Sequence, residues 1–213
     1  MKKTEIFLTE LLFLLFATIQ LSSCLEEEAT SKTHIAEKNT LKPKKYIDTI
    51  LQYEKSYYPN GNLKYETAFF DQNKEVYVKY FYPSGALQTQ GLLKQGKAEG
   101  WWETYSDDST KISEGTYDRG LKSGYWKYYF SNGTMWREGE YISDIVTGWW
   151  KEYDLKGNIL WEGGMHDKIR EGYYKGYSRG IIESEGFYKN NKKWGTWKFY
   201  DTLGKVKSID NYD

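Results

Sequence analysis

Lys111-Ile112-Ser113-Glu114-Gly115-Thr116-Tyr117-Asp118-Arg119-Gly120-Leu121-Lys122-Ser123-Gly124-Tyr125-Trp126-Lys127-Tyr128-Tyr129-Phe130-Ser131 is the stretch whose reading decides the fold. Its first seven residues are a short β-prone run, Asp118 to Ser123 make a turn, and Gly124 to Phe130 are a second run rich in strand formers. Ser131-Asn132-Gly133 then reverses the chain again. Two strands and two tight turns use about 24 residues, which leaves no room for a helix.

The second half of this unit recurs. Gly100-Trp101-Trp102-Glu103-Thr104-Tyr105, Gly148-Trp149-Trp150-Lys151-Glu152-Tyr153, Gly172-Tyr173-Tyr174-Lys175-Gly176-Tyr177 and Gly195-Thr196-Trp197-Lys198-Phe199-Tyr200 repeat Gly124 to Tyr129. The closing tyrosines step by 24, 24, 24 and 23 residues, and Tyr82 and Tyr58 continue the series upstream. Similar second turns stand at Pro59-Asn60-Gly61, Pro83-Ser84-Gly85, Leu155-Lys156-Gly157, Ser178-Arg179-Gly180 and Leu203-Gly204, with Asp107-Asp108 replacing the turn glycine in one unit. A fixed period of this length marks a repeat array. The predicted fold is all-β: an elongated, open antiparallel meander of consecutive β-hairpin repeats, six to seven units of 23–24 residues, over residues 46–213. The first two units have Lys55 and Lys79 where later ones have Trp and lack a paired glycine, as terminal caps do.

A glycine precedes each central aromatic by eleven residues: Gly91 and Trp102, Gly115 and Trp126, Gly139 and Trp150, Gly163 and Tyr174, Gly186 and Trp197. Across a hairpin this offset predicts each glycine opposite its ring, where the missing Cβ lets the ring lie flat on the neighbouring strand. Strands about 4.8 Å apart would repeat the rings about every 9.6 Å, in a structural aromatic ladder. The tyrosine three residues after each ring is out of parity with it, which leaves two readings: the opposite face, or a bulge before the turn.

Composition supports a core of rings. There are 9 Trp, 21 Tyr, 9 Phe and 20 Gly with only 3 Pro, and aliphatic residues are sparse beyond the N-terminal segment. Apolar burial must therefore come from aromatics, each worth roughly 150 to 250 Å². Thirty basic and thirty acidic side chains cancel and alternate along the repeats, which excludes the basic stripe of a nucleic-acid binder.

Residues 1–23 read as a signal peptide. Lys2 and Lys3 precede an apolar run from Leu11 to Leu21, too short for the ~20 residues of a spanning helix. Leu21-Ser22-Ser23-Cys24 resembles the lipobox of bacterial lipoproteins, which implies cleavage before Cys24 and lipid attachment to it. Cys24 is the chain's single cysteine, so an internal disulfide is impossible and an attachment role explains it. Acyl chains there would hold the protein at a membrane at about 0.8 kcal/mol per buried methylene. Glu26-Glu27-Glu28 resembles the acidic export tag of surface lipoproteins in Bacteroidetes-type bacteria, or is simply a solvated charge run. Residues 24–45 are a polar tether with a reach of about 25 Å. The expected address is the bacterial cell envelope, as an outer-membrane lipoprotein that is periplasmic or surface-exposed.

Gly115-Thr116-Tyr117, Gly120 and Gly124-Tyr125-Trp126 resemble the MORN repeat, and the Gly-x-Trp-x-x-Tyr ending resembles its bacterial variant, the YwqK-type antitoxin group. The resemblance covers about residues 53 to 205. It implies an elongated sheet of hairpins that serves protein or membrane contact. A neutraliser of an intracellular toxin would stay in the cytoplasm, so the export signal sits badly with the antitoxin label.

Catalytic chemistry is hard to place. His34 lies in the tether and His166 in a repeat turn, without Cys or His partners for a metal or a serine for nucleophilic catalysis. Glu114, Glu138, Glu162 and Glu185 recur with the period, and a cross-strand Lys127 or Lys151 would balance them more simply than a glycosidase mechanism. Asp107-Asp108 lacks the spacing of a calcium loop. No cofactor, metal or catalytic residue is expected. Trp101, Trp149 and Trp161 are the candidate binding rings; Trp161 and Trp136 stand ahead of Glu-Gly in only some repeats, and such non-periodic aromatics need a local reason. The sequence thus points to a non-enzymatic, lipid-anchored scaffold for an envelope protein partner. A glycan-binding surface and a toxin neutraliser are the alternatives.

Overall fold

The computed structural model describes residues 52–70 and 74–213. The signal peptide, Cys24, the tether and His34 lie outside the described residues. Fourteen strands follow one another: β1 (Gln52–Tyr57), β2 (Leu63–Phe70), β3 (Glu75–Phe81), β4 (Leu87–Lys94), β5 (Lys97–Tyr105), β6 (Lys111–Asp118) and β7 (Leu121–Tyr129). β8 (Met135–Ile142), β9 (Ile145–Tyr153), β10 (Ile159–His166), β11 (Ile169–Ser178), β12 (Ile181–Lys189), β13 (Lys192–Tyr200) and β14 (Val206–Tyr212) complete them. They form one antiparallel sheet in strict chain order, the all-β meander of hairpins that the repeat period predicts. His166 closes β10 rather than lying in a turn.

Two kinds of turn alternate along the sheet. The connections after β4, β6, β8, β10 and β12 are two-residue turns with both φ values positive, as at Arg119 (51°) and Gly120 (89°). Their twist matches that of the flanking strands. The connections after β1, β3, β5, β7, β9 and β13 are longer loops closed by paired backbone bonds, as where the Phe130 amide donates to Thr134 O at 2.8 Å and the Gly133 amide to Phe130 O at 2.9 Å, and a shorter one stands at Arg179-Gly180. In the unit containing Asp107-Asp108 the residue at the glycine position is Ser109, with φ 67°. The acidic pair therefore precedes that position rather than filling it; Asp108 instead accepts from the Thr110 amide at 3.0 Å.

Each hairpin from β4–β5 to β12–β13 has an in-strand register shift. Glu114 pairs with Lys127 but Thr116 with Ser123, so β7 carries extra residues around Gly124, whose φ is 72°. A second shift follows each ring strand on the next strand, where Tyr128 pairs with Arg137 but Tyr129 with Met135, leaving Trp136 as the extra residue. Both parity readings of the closing tyrosine therefore hold: a bulge lies there, and Tyr129 sits on the face opposite Trp126.

The register corrects the alignment of the first two units. Tyr57 and Phe81 pair with Leu63 and Leu87 as Tyr105 pairs with Lys111, so they, not Tyr58 and Tyr82, occupy the closing position. Tyr58 and Tyr82 belong to the turns, where their hydroxyls donate to Phe81 O at 2.8 Å and Tyr105 O at 3.0 Å. The ring position in the second unit is likewise Val78, not Lys79. Val78 is 1% exposed and lies opposite both Thr67 and Gly91. Lys55 and Lys79 both pair with Glu66 on the other face. A small aliphatic opposite threonine needs no bare backbone, and β2–β3 pair without a shift.

Candidate functional site

One face of the sheet is built from the rings. An ideal Cβ placed on Gly115 would lie 2.2 Å from Cδ2 of Trp126, and the same distance separates Gly91 from Trp102 and Gly139 from Trp150. At Gly186 and Trp197 it is 2.5 Å. The indoles therefore occupy the space a side chain would need. Gly163 differs: its nearest neighbour would be Tyr173 O at 2.8 Å, with Tyr174 Cδ2 at 3.2 Å, because a phenol covers less of the strand than an indole. The bulge frees carbonyls for the indole N–H groups. Trp126 donates to Thr116 O at 3.0 Å, Trp102 to Leu92 O at 3.1 Å and Trp197 to Phe187 O at 2.9 Å.

Cross-strand tyrosines join successive ladder rings edge-on. Tyr117 meets Trp102 at 6.1 Å and Trp126 at 5.0 Å, and Tyr141 meets Trp126 at 6.2 Å and Trp150 at 5.3 Å. Cations cover the rings from solvent: Lys122 over Trp126 at 4.4 Å, Arg137 over Trp150 at 5.3 Å, Arg170 over Tyr174 at 5.1 Å and Lys193 over Trp197 at 4.5 Å. Burial holds the Lys122 ammonium below its ordinary range. Trp161 stands on this ring face and not in line with Trp101 and Trp149: it stacks on Tyr174 at 6.0 Å and packs against the cluster of Trp126, Tyr141 and Trp150. Trp136 is three residues before Gly139 and is 37% exposed, while Trp161 is two before Gly163, so the two do not form one class.

The opposite face repeats a tyrosine–glutamate bond over fifteen residues. The hydroxyls of Tyr129, Tyr153, Tyr177 and Tyr200 donate to Glu114, Glu138, Glu162 and Glu185 at 2.6, 2.7, 2.6 and 2.6 Å. Sequence reasoning assigned these carboxylates to lysines. Lys151 does approach Glu162 at 3.7 Å and Lys198 approaches Glu185 at 3.4 Å, but the shorter contacts are phenolic. The constant spacing from each glutamate to a closing tyrosine was the available signal. The bond to Glu185 pushes the Tyr200 phenol up to about 12, with burial adding to it. Hydrogen bonds from Tyr173 and Tyr200 hold the Glu185 carboxyl below its ordinary range. Burial works against the same effect at Glu162, where bonds from Tyr177 and Trp149 outweigh it.

On this second face stand the exposed rings. Trp101, Tyr125 and Trp149 precede the ladder position in β5, β7 and β9 and are 46%, 43% and 40% exposed. Tyr173 continues them in β11, stacked beside Trp149 at 6.4 Å and packed on Phe187 at 5.3 Å. Trp149 Nε1 donates to Glu162 at 3.2 Å, which sets the ring beside a carboxylate. Tyr125, Tyr173 and Phe187 were not singled out from sequence, although the middle position of Gly-x-aromatic marks the first two.

The strands and rings together define an open-sheet hairpin-repeat protein. Residues 53–72, 122–143 and 195–213 match the family model described as the MORN repeat variant, so the chain carries MORN-variant repeats. That family is a non-catalytic one, generally of protein- or membrane-interaction repeats. Comparison with curated proteins gives no match. Among solved structures the chain is similar to TarM, at 12% identity over 48% of this chain and 22% of that one, with a TM-score of 0.29. It is similar to the GtfA/B complex at 12% identity over 65% and 20%, with a TM-score of 0.21. The chain thus spans about a fifth of the length of either structure, and likeness of that size assigns no activity.

Proposed function

We propose that this protein is a lipid-anchored scaffold of the bacterial cell envelope, attached through Cys24, whose tyrosine–glutamate face docks a partner protein. The observation that carries the reading is the exposed row Trp101, Tyr125 and Trp149, continued by half-buried Tyr173. These rings come from every second strand, and strands so related lie about 9.6 Å apart, so the backbone positions of the row span about 29 Å. That length suits a protein interface, about 800 Å² per partner, better than one or two sugar rings. Large aromatics beside charged groups such as Glu162 and Lys151 are the composition of binding hot spots.

Palmitate labelling tests the anchor: incorporation abolished by Cys24→Ala supports it, and no incorporation into the wild type contradicts it. Affinity capture from envelope extracts with wild type and with Trp101→Ala/Trp149→Ala tests the face. A protein retained by the wild type and lost from the variant supports docking there. Equal retention by both removes this surface from the reading, and retention on immobilised glycans instead of protein favours carbohydrate binding.

A further inference from the structure

The ring face departs from its own period most fully around β8–β10. Where Thr89, Ser113, Ser184 and Ser208 stand in other units, β8 has Arg137 and β10 has Trp161. Where other units have Tyr117, Tyr141, Tyr188 and Tyr212, β10 has Met165, and the position of Lys122, Arg170 and Lys193 is Val146 in β9; the β4–β5 hairpin also has small residues there, Leu93 and Ala98, but beside Thr89 and not beside an arginine or an indole. Two long side chains thus flank two short ones, and a depression of about 340 Å³ opens between them. Val146, Trp150, Trp161 and Met165 supply its apolar lining, and Arg137, Lys168, Arg170 and Glu152 its charges.

Three cations against one carboxylate leave the depression positive. Among the described residues neither Arg137 nor Arg170 has a carboxylate within ion-pair distance. Rings take up the flat faces of both guanidinium groups: Tyr128 lies 4.9 Å from Arg137, and Trp161 lies 5.3 Å from Arg170. Neither guanidinium makes a side-chain hydrogen bond among the described residues, and Nε of Arg137 is buried without a partner there. A buried donor without a partner is unfavourable, and a planar guanidinium edge matches an oxyanion in two-pronged fashion. Arg137 and Trp161 also pack on Trp150 and Tyr174, but Ser113 and Ser184 hold their position in other units, where the ladder is complete without an arginine or an indole there.

We propose that this depression binds a carboxylate carried on a flat or branched apolar group. The edges of Arg137 and Arg170 take the carboxylate, and Trp150, Trp161, Val146 and Met165 take the apolar body. Glu152 disfavours a doubly charged phosphate monoester. A free organic acid and the C-terminus of a peptide ending in an apolar residue share this chemistry. The site lies on the face opposite the exposed row and does not depend on that row's function.

Titration of the full chain with 3-phenylpropionate, its neutral amide, phenyl phosphate, and a peptide ending in phenylalanine, followed by tryptophan fluorescence, tests the proposal. Saturable binding of the acid or the free-ended peptide is expected, weakened at least about tenfold for the amide and in Arg137→Gln and Arg170→Gln. Tighter binding of the peptide than of the acid assigns the site to chain termini, and the reverse assigns it to free acids. Val146→Trp fills the depression without adding charge and leaves both arginines in place; it should abolish binding. Equal binding of acid and amide, tighter binding of phenyl phosphate, unchanged binding in Val146→Trp, or no saturable binding of either carboxylate probe overturns the proposal.

Discussion

Trp126 lies over Gly115 across the β6–β7 hairpin, so close that an ideal Cβ on the glycine would sit 2.2 Å from the indole. The ring is 2% exposed on a sheet that has no second layer among the described residues. In most sheets one face is buried against another element. Here the rings, laid on bare backbone and roofed by cations, replace that element. The same four parts, glycine, indole, cross-strand tyrosine and cation, return at Gly186, Trp197, Tyr188 and Lys193.

Removing a phenolic hydroxyl should cost according to what else its glutamate holds. Glu114 also accepts from Lys111 at 2.7 Å, whereas Glu138 has no lysine within ion-pair distance among the described residues. Tyr153→Phe should therefore lower stability in urea melts by about 1.5–3 kcal/mol, the range for hydrogen bonds to charged groups. Tyr129→Phe should cost less. The opposite order would contradict the assignment of these bonds.

Ser109→Gly should stabilise the protein by up to about 1 kcal/mol. Ser109 holds φ 67°, and a non-glycine residue in that region is strained. Gly85 and Gly133 fill the equivalent position in the neighbouring units. A higher Tm for the variant is the expected result, and a lower one would mean that the serine makes a contact that outweighs the strain.

Stability should fall at both ends of the pH scale. Glu162 and Glu185 are held below their ordinary range in the folded state, so their contribution is complete above about pH 4.3 and lost as pH falls through their lower folded values. Tyr200 is raised, so its contribution is complete below about pH 10. That contribution is lost as pH rises through about 12. Urea melts across pH should show both declines, and Tyr200→Phe should reduce the alkaline one. An alkaline limb unchanged in that variant would contradict the pairing with Glu185.

Much of this fold was legible because one period carries it. The turns and the strand order follow from glycine spacing and strand-forming residues, and the eleven-residue offset of Gly115 and Trp126 is what a hairpin turns into a cross-strand pair. Counting from tyrosines misplaced the first two units, since Tyr82 and Phe81 are both aromatic and only pairing distinguishes the strand residue from the turn residue. Trp161 takes a different face from Trp101 and Trp149, which its identity alone does not show; its stacking on Tyr174 does. The fifteen-residue spacing of the tyrosine–glutamate bonds stands in the sequence, but the face the two share and the four departures around Val146 become visible only when the units are aligned by register.

A double-mutant cycle on Gly115 and Trp126 tests the central claim most directly. In the wild-type background Gly115→Ala should cost about 1–3 kcal/mol or more, because the new Cβ meets the indole. With Trp126→Ala already in place, which itself should cost about 3–5 kcal/mol, the same alanine should be nearly neutral or stabilising. Strong coupling between the two sites is the predicted result. Additive effects in urea melts would show that the ring does not rest on the glycine, and the account of how this sheet holds together would be wrong.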